Sequence, residues 1–170
     1  MPESRPIKLK AILNVDMFFG DSSKGSTVEF QTKMFDSNKP KLNVRFNGGA
    51  QAKHTIILND GRNHAFSQFG AATFQPDVQT FLSRFMLVNP LAMDLENDHL
   101  IRLNLHDAYN RMHIDGMAVI TTPYHRAVNR LKELARGSKM HGSCGMGISA
   151  TVEDLLTRPL HVLRMRDLLD

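Results

Sequence analysis

The stretch that decides the fold reads Phe18-Phe19-Gly20-Asp21-Ser22-Ser23-Lys24-Gly25-Ser26-Thr27. It follows an apolar run over residues 11–19, which predicts a buried strand, and precedes residues 26–35, whose apolar side chains recur at roughly helical spacing. A strand, a glycine-rich turn and a helix are typical of a phosphate site, because the turn exposes backbone N–H groups and the helix presents its positive end. Lys24 adds a point charge for phosphate, and Asp21 can serve as a base or a metal ligand.

The spacing of this turn leaves a second interpretation open. The nucleotide-binding P-loop reads G-x-x-x-x-G-K-[ST]. Here Lys24 precedes Gly25, and only three residues separate Lys24 from Gly20. The alternative is an ordinary strand-to-helix turn with an exposed lysine.

Length and composition favour one domain. The chain has 170 residues, 42% of them hydrophobic, and a net charge of +4 that is scattered along the sequence. Without a Lys/Arg block we expect no nucleic-acid partner, and the basic balance suits an anionic small molecule. The single cysteine excludes an internal disulfide, and no signal peptide or membrane span is visible, so we expect a cytoplasmic protein without a membrane partner. We expect a flexible lead over residues 1–10 and one domain over residues 11–170.

Outside the opening stretch, predicted strands alternate with predicted helices. This pattern indicates an α/β fold in which helices flank a central, mostly parallel sheet carrying a P-loop-like phosphate site. The predicted strands cover residues 11–19, 42–46, 56–58, 62–69, 85–88 and 117–120. The predicted helices cover residues 26–35, 77–83, 90–98, 123–135 and 153–157. A second glycine-rich loop covers residues 141–147.

Several motifs occur in the order in which the adenylosuccinate synthetase family has them. The family's W-G-D-E-G-K-G corresponds to Phe19-Gly20-Asp21-Ser22-Ser23-Lys24-Gly25. Its V-R-[YF]-x-G-G-x-N-A-G-H-T corresponds to Val44-Arg45-Phe46-Asn47-Gly48-Gly49-Ala50-Gln51-Ala52-Lys53-His54-Thr55. Later matches are Val88-Asn89-Pro90, Tyr124-His125, Ala135-Arg136-Gly137, Gly142-Ser143-Cys144-Gly145-Met146-Gly147-Ile148, Glu153-Asp154 and Arg158. The ordered set covers about residues 11–170, so the chain resembles the N-terminal part of that family.

The resemblance implies a GTP- and Mg²⁺-dependent ligase that phosphorylates IMP and displaces the phosphate with aspartate. Asp21 resembles the family's base and Mg²⁺ ligand, Lys24 would neutralise phosphate charge, and His54 resembles the general acid facing the γ-phosphate. The implied GTP and Mg²⁺ positions are Gly20, Asp21, Ser22, Ser23, Lys24, Gly25, Ser26, Lys53, His54 and Thr55, the metal positions among them being Asp21 and the Lys53 carbonyl. The implied substrate positions are Gln51, Ala52, Cys144 and Arg158. Arg158 matches an arginine that reaches the IMP phosphate of a neighbouring subunit, which implies a homodimer.

The chain departs from the family at sensitive positions. Ser22-Ser23 replaces E-G, Lys53 replaces a glycine, Cys144 replaces a threonine and Met146 replaces an arginine. Family members are more than twice as long, and their guanine-recognising and aspartate-binding segments correspond to nothing before residue 170. The alternative is therefore a degenerate, non-catalytic relative, a binding or assembly subunit whose exposed sheet edge is covered by a partner chain.

Two further alternatives concern the chemistry. A related phage ligase group that acts on dGMP carries serine in place of the loop aspartate. The retained Asp21 argues against that group, but the divergent loop leaves it open. A nucleophilic Cys144 is disfavoured because no anchoring base is evident, and a zinc site is disfavoured because the histidines lack ligand spacing.

Overall fold

The computed structural model describes residues 10–17, 20, 22–35 and 38–169. Its helices are α1 (Lys24–Lys33), α2 (Pro90–Arg102), α3 (Pro123–Arg136) and α4 (Ile148–Thr157). Its strands are β1 (Lys41–Gly48), β2 (His54–Ile57), β3 (Asn63–Phe66), β4 (Val78–Val88), β5 (Met112–Ile114) and β6 (Val119–Ile120). Short 3₁₀ turns cover Tyr109–Arg111, Gly137–Lys139 and Met165–Leu168.

A parallel sheet is built around β4. Strand β1 pairs with β4 along one side, while β5 and then β6 pair with it along the other. Strands β2 and β3 form a separate antiparallel hairpin. The predicted α/β architecture with a mostly parallel sheet is confirmed. Among the described residues, no helix has the length and apolar character needed to cross a membrane.

Helices α2 and α3 begin where the sequence predicts. The Asn89 side chain accepts a hydrogen bond from the backbone N–H of Ala92 at 3.0 Å, and a proline opens the helix. Helix α3 has the same device, because Thr122 caps it in a reciprocal pair with His125. These caps satisfy backbone donors that the first turn leaves without a partner.

Two predicted elements differ from the structure. Residues 77–83, predicted as a helix, form the first part of β4, because pairing with β1 and β5 outweighs the helical spacing of the apolar side chains. Residues 11–16, predicted as strand, lie outside any strand, and Phe18 and Phe19 fall outside the described residues. A strand gains its stability from a neighbour, and β1 pairs only with β4 among the described strands.

Strand β1 has a polar buried face. Lys41 forms an ion pair with Asp77 at 2.9 Å, and Asn43 accepts a hydrogen bond from the backbone N–H of Ala72 at 3.2 Å. The third inward side chain is Arg45. The strand is therefore held from its buried side by polar groups that have partners.

The outward face of β1 is apolar. Leu42, Val44 and Phe46 are about half exposed, and the rings of Phe46 and Phe85 of β4 lie 5.0 Å apart. Alternation therefore marks β1 as a strand, as predicted, but the apolar side faces solvent. The hydrophobic core lies elsewhere, around the β2–β3 hairpin and beneath β4.

Candidate functional site

The start of α1 lies directly against the start of β2. A Cβ atom added to Gly25 would lie 2.5 Å from the Cβ atom of His54, closer than side chains pack. Only glycine therefore allows this approach, which brings the loop before Lys24 beside the loop that joins β1 to β2. The sequence predicts these two loops as neighbours, and the structure places them together.

The Lys24 ammonium is held by oxygen atoms of its own loop. It donates to the Asp16 carboxylate at 2.6 Å and to the Gly20 carbonyl at 2.8 Å, and the Ser22 hydroxyl donates to the same carboxylate at 2.7 Å. An anion that approaches Lys24 must therefore compete with Asp16. Asp21 lies outside the described residues, so its role as a base and metal ligand stays a prediction.

Asp16 is the residue that sequence reasoning undervalued. It reads as a structural carboxylate among apolar neighbours, and no motif connects it with Lys24 eight positions later. The available signal was a charged residue in an otherwise apolar run, directly before a glycine-rich turn.

His54 is neutral near pH 7. Burial, followed by the positive charges of Arg45 and Lys24, lowers its pKa from 6.5 to about 4. A neutral imidazole still carries one N–H and can donate a hydrogen bond to a phosphate oxygen. A bound polyanion would raise this pKa, because a nearby negative charge favours the protonated ring.

The guanidinium of Arg45 fixes the geometry of the loop between β1 and β2. It donates to the backbone carbonyls of Ala52 at 2.9 Å, Ser67 at 2.6 Å and Phe69 at 3.2 Å. Burial lowers the pKa of Arg45 to about 10, an effect opposed by the negative charge of Glu96. The group therefore stays charged at neutral pH, and it ties β1 to the chain that follows β3. Sequence reasoning used Arg45 only as part of a motif.

The second glycine-rich loop is docked on the polar side of α3. Asn129 donates to the Ser143 hydroxyl at 3.1 Å and accepts from the Gly147 N–H at 3.2 Å, and Glu133 accepts from the Ser143 N–H at 3.3 Å. Cys144, the predicted substrate contact, is exposed on this loop. Because Gly147 directly precedes α4, these bonds also fix where that helix begins.

The beginning of α4 also touches the loop between β1 and β2. A Cβ atom on Gly49 would lie 2.7 Å from Cδ1 of Ile148 and 3.2 Å from the Leu87 carbonyl. The three predicted loop regions therefore meet in one neighbourhood, the α1 start through Gly25 and the α4 start through Gly49.

A cavity of about 260 Å³ lies beside these loops, against α2. Its wall includes Lys53 and Met146, two of the positions that depart from the family pattern. It also includes Glu96, whose carboxylate accepts from the backbone N–H of Ser67 at 2.9 Å. Burial opposes ionisation of Glu96, but these donors and His64 hold its pKa below the ordinary value.

Other predicted positions are less engaged. Gln51 and Thr55 are exposed near the β2 start. Arg158, just past the end of α4, forms an ion pair with Asp154 one turn earlier and borders a separate cavity of about 90 Å³. Its predicted reach into a neighbouring subunit stays a prediction.

Oxygen atoms suited to a hard cation are present at the first loop. The Asp16 carboxylate and the Gly20 carbonyl converge on Lys24, so this position already accommodates positive charge. Within the described ranges, which lack Asp21, no three His, Cys, Asp or Glu side chains are grouped to hold a metal ion.

Comparisons with known proteins agree on one family. The family model described as adenylosuccinate synthetase matches residues 15–170. The chain is similar to adenylosuccinate synthetase of Marinomonas sp. (strain MWYL1), with 31% identity over 152 residues, 89% of this chain and 33% of the relative. It is also similar to that of Acidithiobacillus ferrooxidans, with 31% identity over 88% of this chain and 33% of the relative. The chain thus spans about a third of the length of these relatives.

Solved structures show the same fold. The fully ligated adenylosuccinate synthetase of Plasmodium falciparum superposes with a TM-score of 0.74 at 21% identity, over 88% of this chain and 33% of that one. The cyanophage S-2L succinoaminodeoxyadenylate synthetase, bound to dGMP and dATP, superposes with a TM-score of 0.64 at 17% identity, over 89% of this chain and 39% of that one.

Proposed function

Because the chain belongs to the adenylosuccinate synthetase family, we propose that it supplies the phosphate-loop part of a GTP- and Mg²⁺-dependent ligase that joins aspartate to IMP. The observation that carries the proposal is the contact of Gly25 with His54, which puts the Lys24 loop and the β2 start side by side. Phosphoryl transfer needs this combination, because its catalysis consists mainly of positioning and charge stabilisation. The reaction belongs to purine nucleotide synthesis, and we place it in the cytoplasm.

Two described side chains have roles in this proposal. Lys24 leaves Asp16 and neutralises phosphate charge, while the neutral His54 ring donates its N–H to the phosphoryl oxygen on which charge develops. As negative charge grows, the pKa of His54 rises from its depressed value of about 4, so the ring becomes able to share a proton. Asp21 is assigned as the base that takes the purine proton.

Mg²⁺ fits the oxygen-rich first loop. We assign it to Asp21 and the Lys53 carbonyl, where it would neutralise phosphate charge when bound. Gln51, Ala52, Cys144 and Arg158 are assigned to the IMP side, and Arg158 implies a homodimer. Because the chain spans about a third of its relatives, the guanine and aspartate contacts must come from other polypeptide, and nucleotide binding by this chain alone should be weak.

A second candidate function is a non-catalytic binding or assembly subunit. The observation that favours it is the ion pair between Asp16 and Lys24, which occupies the lysine that phosphate would need. The substitutions at Lys53, Cys144 and Met146 point in the same direction. In this alternative the family fold persists as an interaction platform.

Nucleotide-dependent stabilisation separates the two candidates. Thermal melts with GTP, IMP and Mg²⁺ should show about 0.4 kcal/mol of stabilisation at ligand equal to Kd and about 2.7 kcal/mol at a hundredfold excess. Lys24→Ala should abolish the shift, whereas Lys139→Ala, which removes an exposed lysine from the turn after α3, should retain it. Melts that stay unchanged in millimolar GTP and IMP would leave the assembly subunit as the better account.

Turnover is tested with the remaining polypeptide supplied. Phosphate release that depends on GTP, IMP and aspartate should fall at least about a hundredfold in Asp21→Ala and His54→Asn, as expected for loss of an acid–base group. Equal release from both variants and the unmodified chain would reject the ligase proposal.

A further inference from the structure

The open face of the parallel sheet is a contiguous apolar surface. We define the open face as Leu42, Val44 and Phe46 of β1 with Phe81 and Phe85 of β4. Leu42 is 56% exposed, and Phe46 and Phe85 are each 59% exposed. Val44 pairs with Phe81 across the parallel ladder, so these side chains point to the same side. Apolar patches of this kind mark interaction sites.

The open face has the composition of an interface. Its centre is aromatic and aliphatic, and its border at the start of β4 is polar. There Gln79 and His113, whose strands place them on the same side, are hydrogen bonded at 2.9 Å. An apolar centre with a polar rim is the usual anatomy of a protein–protein contact.

The exposure cannot be relieved by turning β1 over. Its other face carries Lys41, Asn43 and Arg45, each engaged with a partner inside the fold. Turning the strand would place the apolar residues inward but would expose or orphan these polar groups, at a cost of about 1–3 kcal/mol for each group. The apolar face must therefore be covered from outside.

The comparisons indicate what covers it. The chain matches 33% of its relatives' length, and the two superposed structures contain a further 67% and 61% of polypeptide with no counterpart here (100 minus 33 and 100 minus 39). Strand β1 is also an edge strand in the described part of the chain, so the open face and an open edge adjoin. A layer of further polypeptide can cover both at once.

We propose that the open face is the docking surface for a polypeptide equivalent to the two thirds of the family's length that this chain does not span. This inference rests on the family membership and not on nucleotide turnover. Docking would complete the sheet on the side where Val44 and Phe46 now meet water.

Thiol labelling at single positions tests this proposal. In a Cys144→Ser background, Val44→Cys places a thiol on the open face, and Leu160→Cys places one at a position that is 93% exposed elsewhere. The remaining part of the Marinomonas, Acidithiobacillus and Chlorobium phaeovibrioides relatives is supplied as a separate polypeptide, each in turn. Labelling at position 44 should slow at least about tenfold with at least one of them, which corresponds to ~1.4 kcal/mol of protection. Labelling at position 160 should not change.

Three results would overturn the proposal. One is an unchanged rate at position 44 with all three polypeptides. Another is equal slowing at positions 44 and 160. The third is protection at position 44 that grows with the concentration of this chain alone, which would make a second copy the occupant. Because no nucleotide is present in these measurements, absent GTP stabilisation and absent docking are distinguishable results.

Discussion

At the scale of single residues, the ion pair between Asp16 and Lys24 controls access to the first loop. Asp16→Asn removes the carboxylate charge that competes with an incoming anion. We expect the affinity for inorganic phosphate or GTP to rise about fivefold, because a partly exposed charge contact is worth ~1 kcal/mol. Isothermal titration of both proteins measures the change. Asp60→Asn, which breaks the exposed pair with Arg62, is the matched control, and weaker binding in Asp16→Asn would show that Asp16 positions the lysine instead.

The depressed pKa of His54 makes stability depend on pH. Its pKa is 6.5 in the unfolded chain and about 4 in the folded one, so the unfolded state binds the proton first as the pH falls. The stabilisation is therefore complete above pH 6.5 and is lost as the pH falls toward 4. After a discount for partial exposure, the loss is on the order of 1 kcal/mol. Urea unfolding at several pH values should show a shallower loss in His54→Asn than in His106→Asn, and equal slopes would contradict this assignment.

The sequence predicts some of the site residues and not others. Lys24 and His54 stand out because a glycine-rich turn and a histidine belong to recognisable motifs. The pairing of Asp16 with Lys24 is not predictable in the same way, because a carboxylate in an apolar run says nothing about which cation it meets. The same holds for Asn129, since only the fold shows that its amide supports the second glycine loop.

At the scale of elements, the junction of α1 and β2 depends on one glycine. Gly25→Ala gains up to about 1 kcal/mol of helix propensity. It also drives a methyl group to 2.5 Å from the Cβ atom of His54, and overpacking of this kind costs ~1–3 kcal/mol. We expect net destabilisation of about 1–2 kcal/mol in urea unfolding.

Two comparisons make the Gly25 measurement specific. Ser26→Ala, at the neighbouring exposed position of α1, should change stability by less than about 0.5 kcal/mol. Adding His54→Gly removes the atom that clashes, so the double variant should recover part of the Gly25→Ala loss through the coupling of neighbouring sites. Additive losses would show that the contact does not decide the packing.

The elements differ in how well the sequence predicts them. Asn89-Pro90 and Thr122-Pro123 fix the starts of α2 and α3 locally, because a cap and a proline act within one turn. Residues 77–83 form a strand instead of the predicted helix, since the decision comes from β1 and β5, which lie far away in the sequence. Local signals therefore place ends better than they place types.

At the scale of the whole molecule, alternation in the sequence predicts a parallel α/β sheet, and the structure has one. It does not show which side of β1 faces inward, because apolar alternation alone favours burying Leu42 and Phe46. The inward side is decided by Arg45, whose guanidinium joins β1 to carbonyls beyond β3. That choice depends on long-range partners that only the folded chain reveals.

The outward apolar face of β1 also has a consequence for the protein's life in the cell. A newly made copy that has not met its covering polypeptide displays aromatic side chains of the kind that chaperones and proteases recognise. Uncovered copies should therefore be degraded faster than covered ones. We expect the cellular amount of this chain to follow the supply of the polypeptide that covers β1, whatever the rate of its own synthesis.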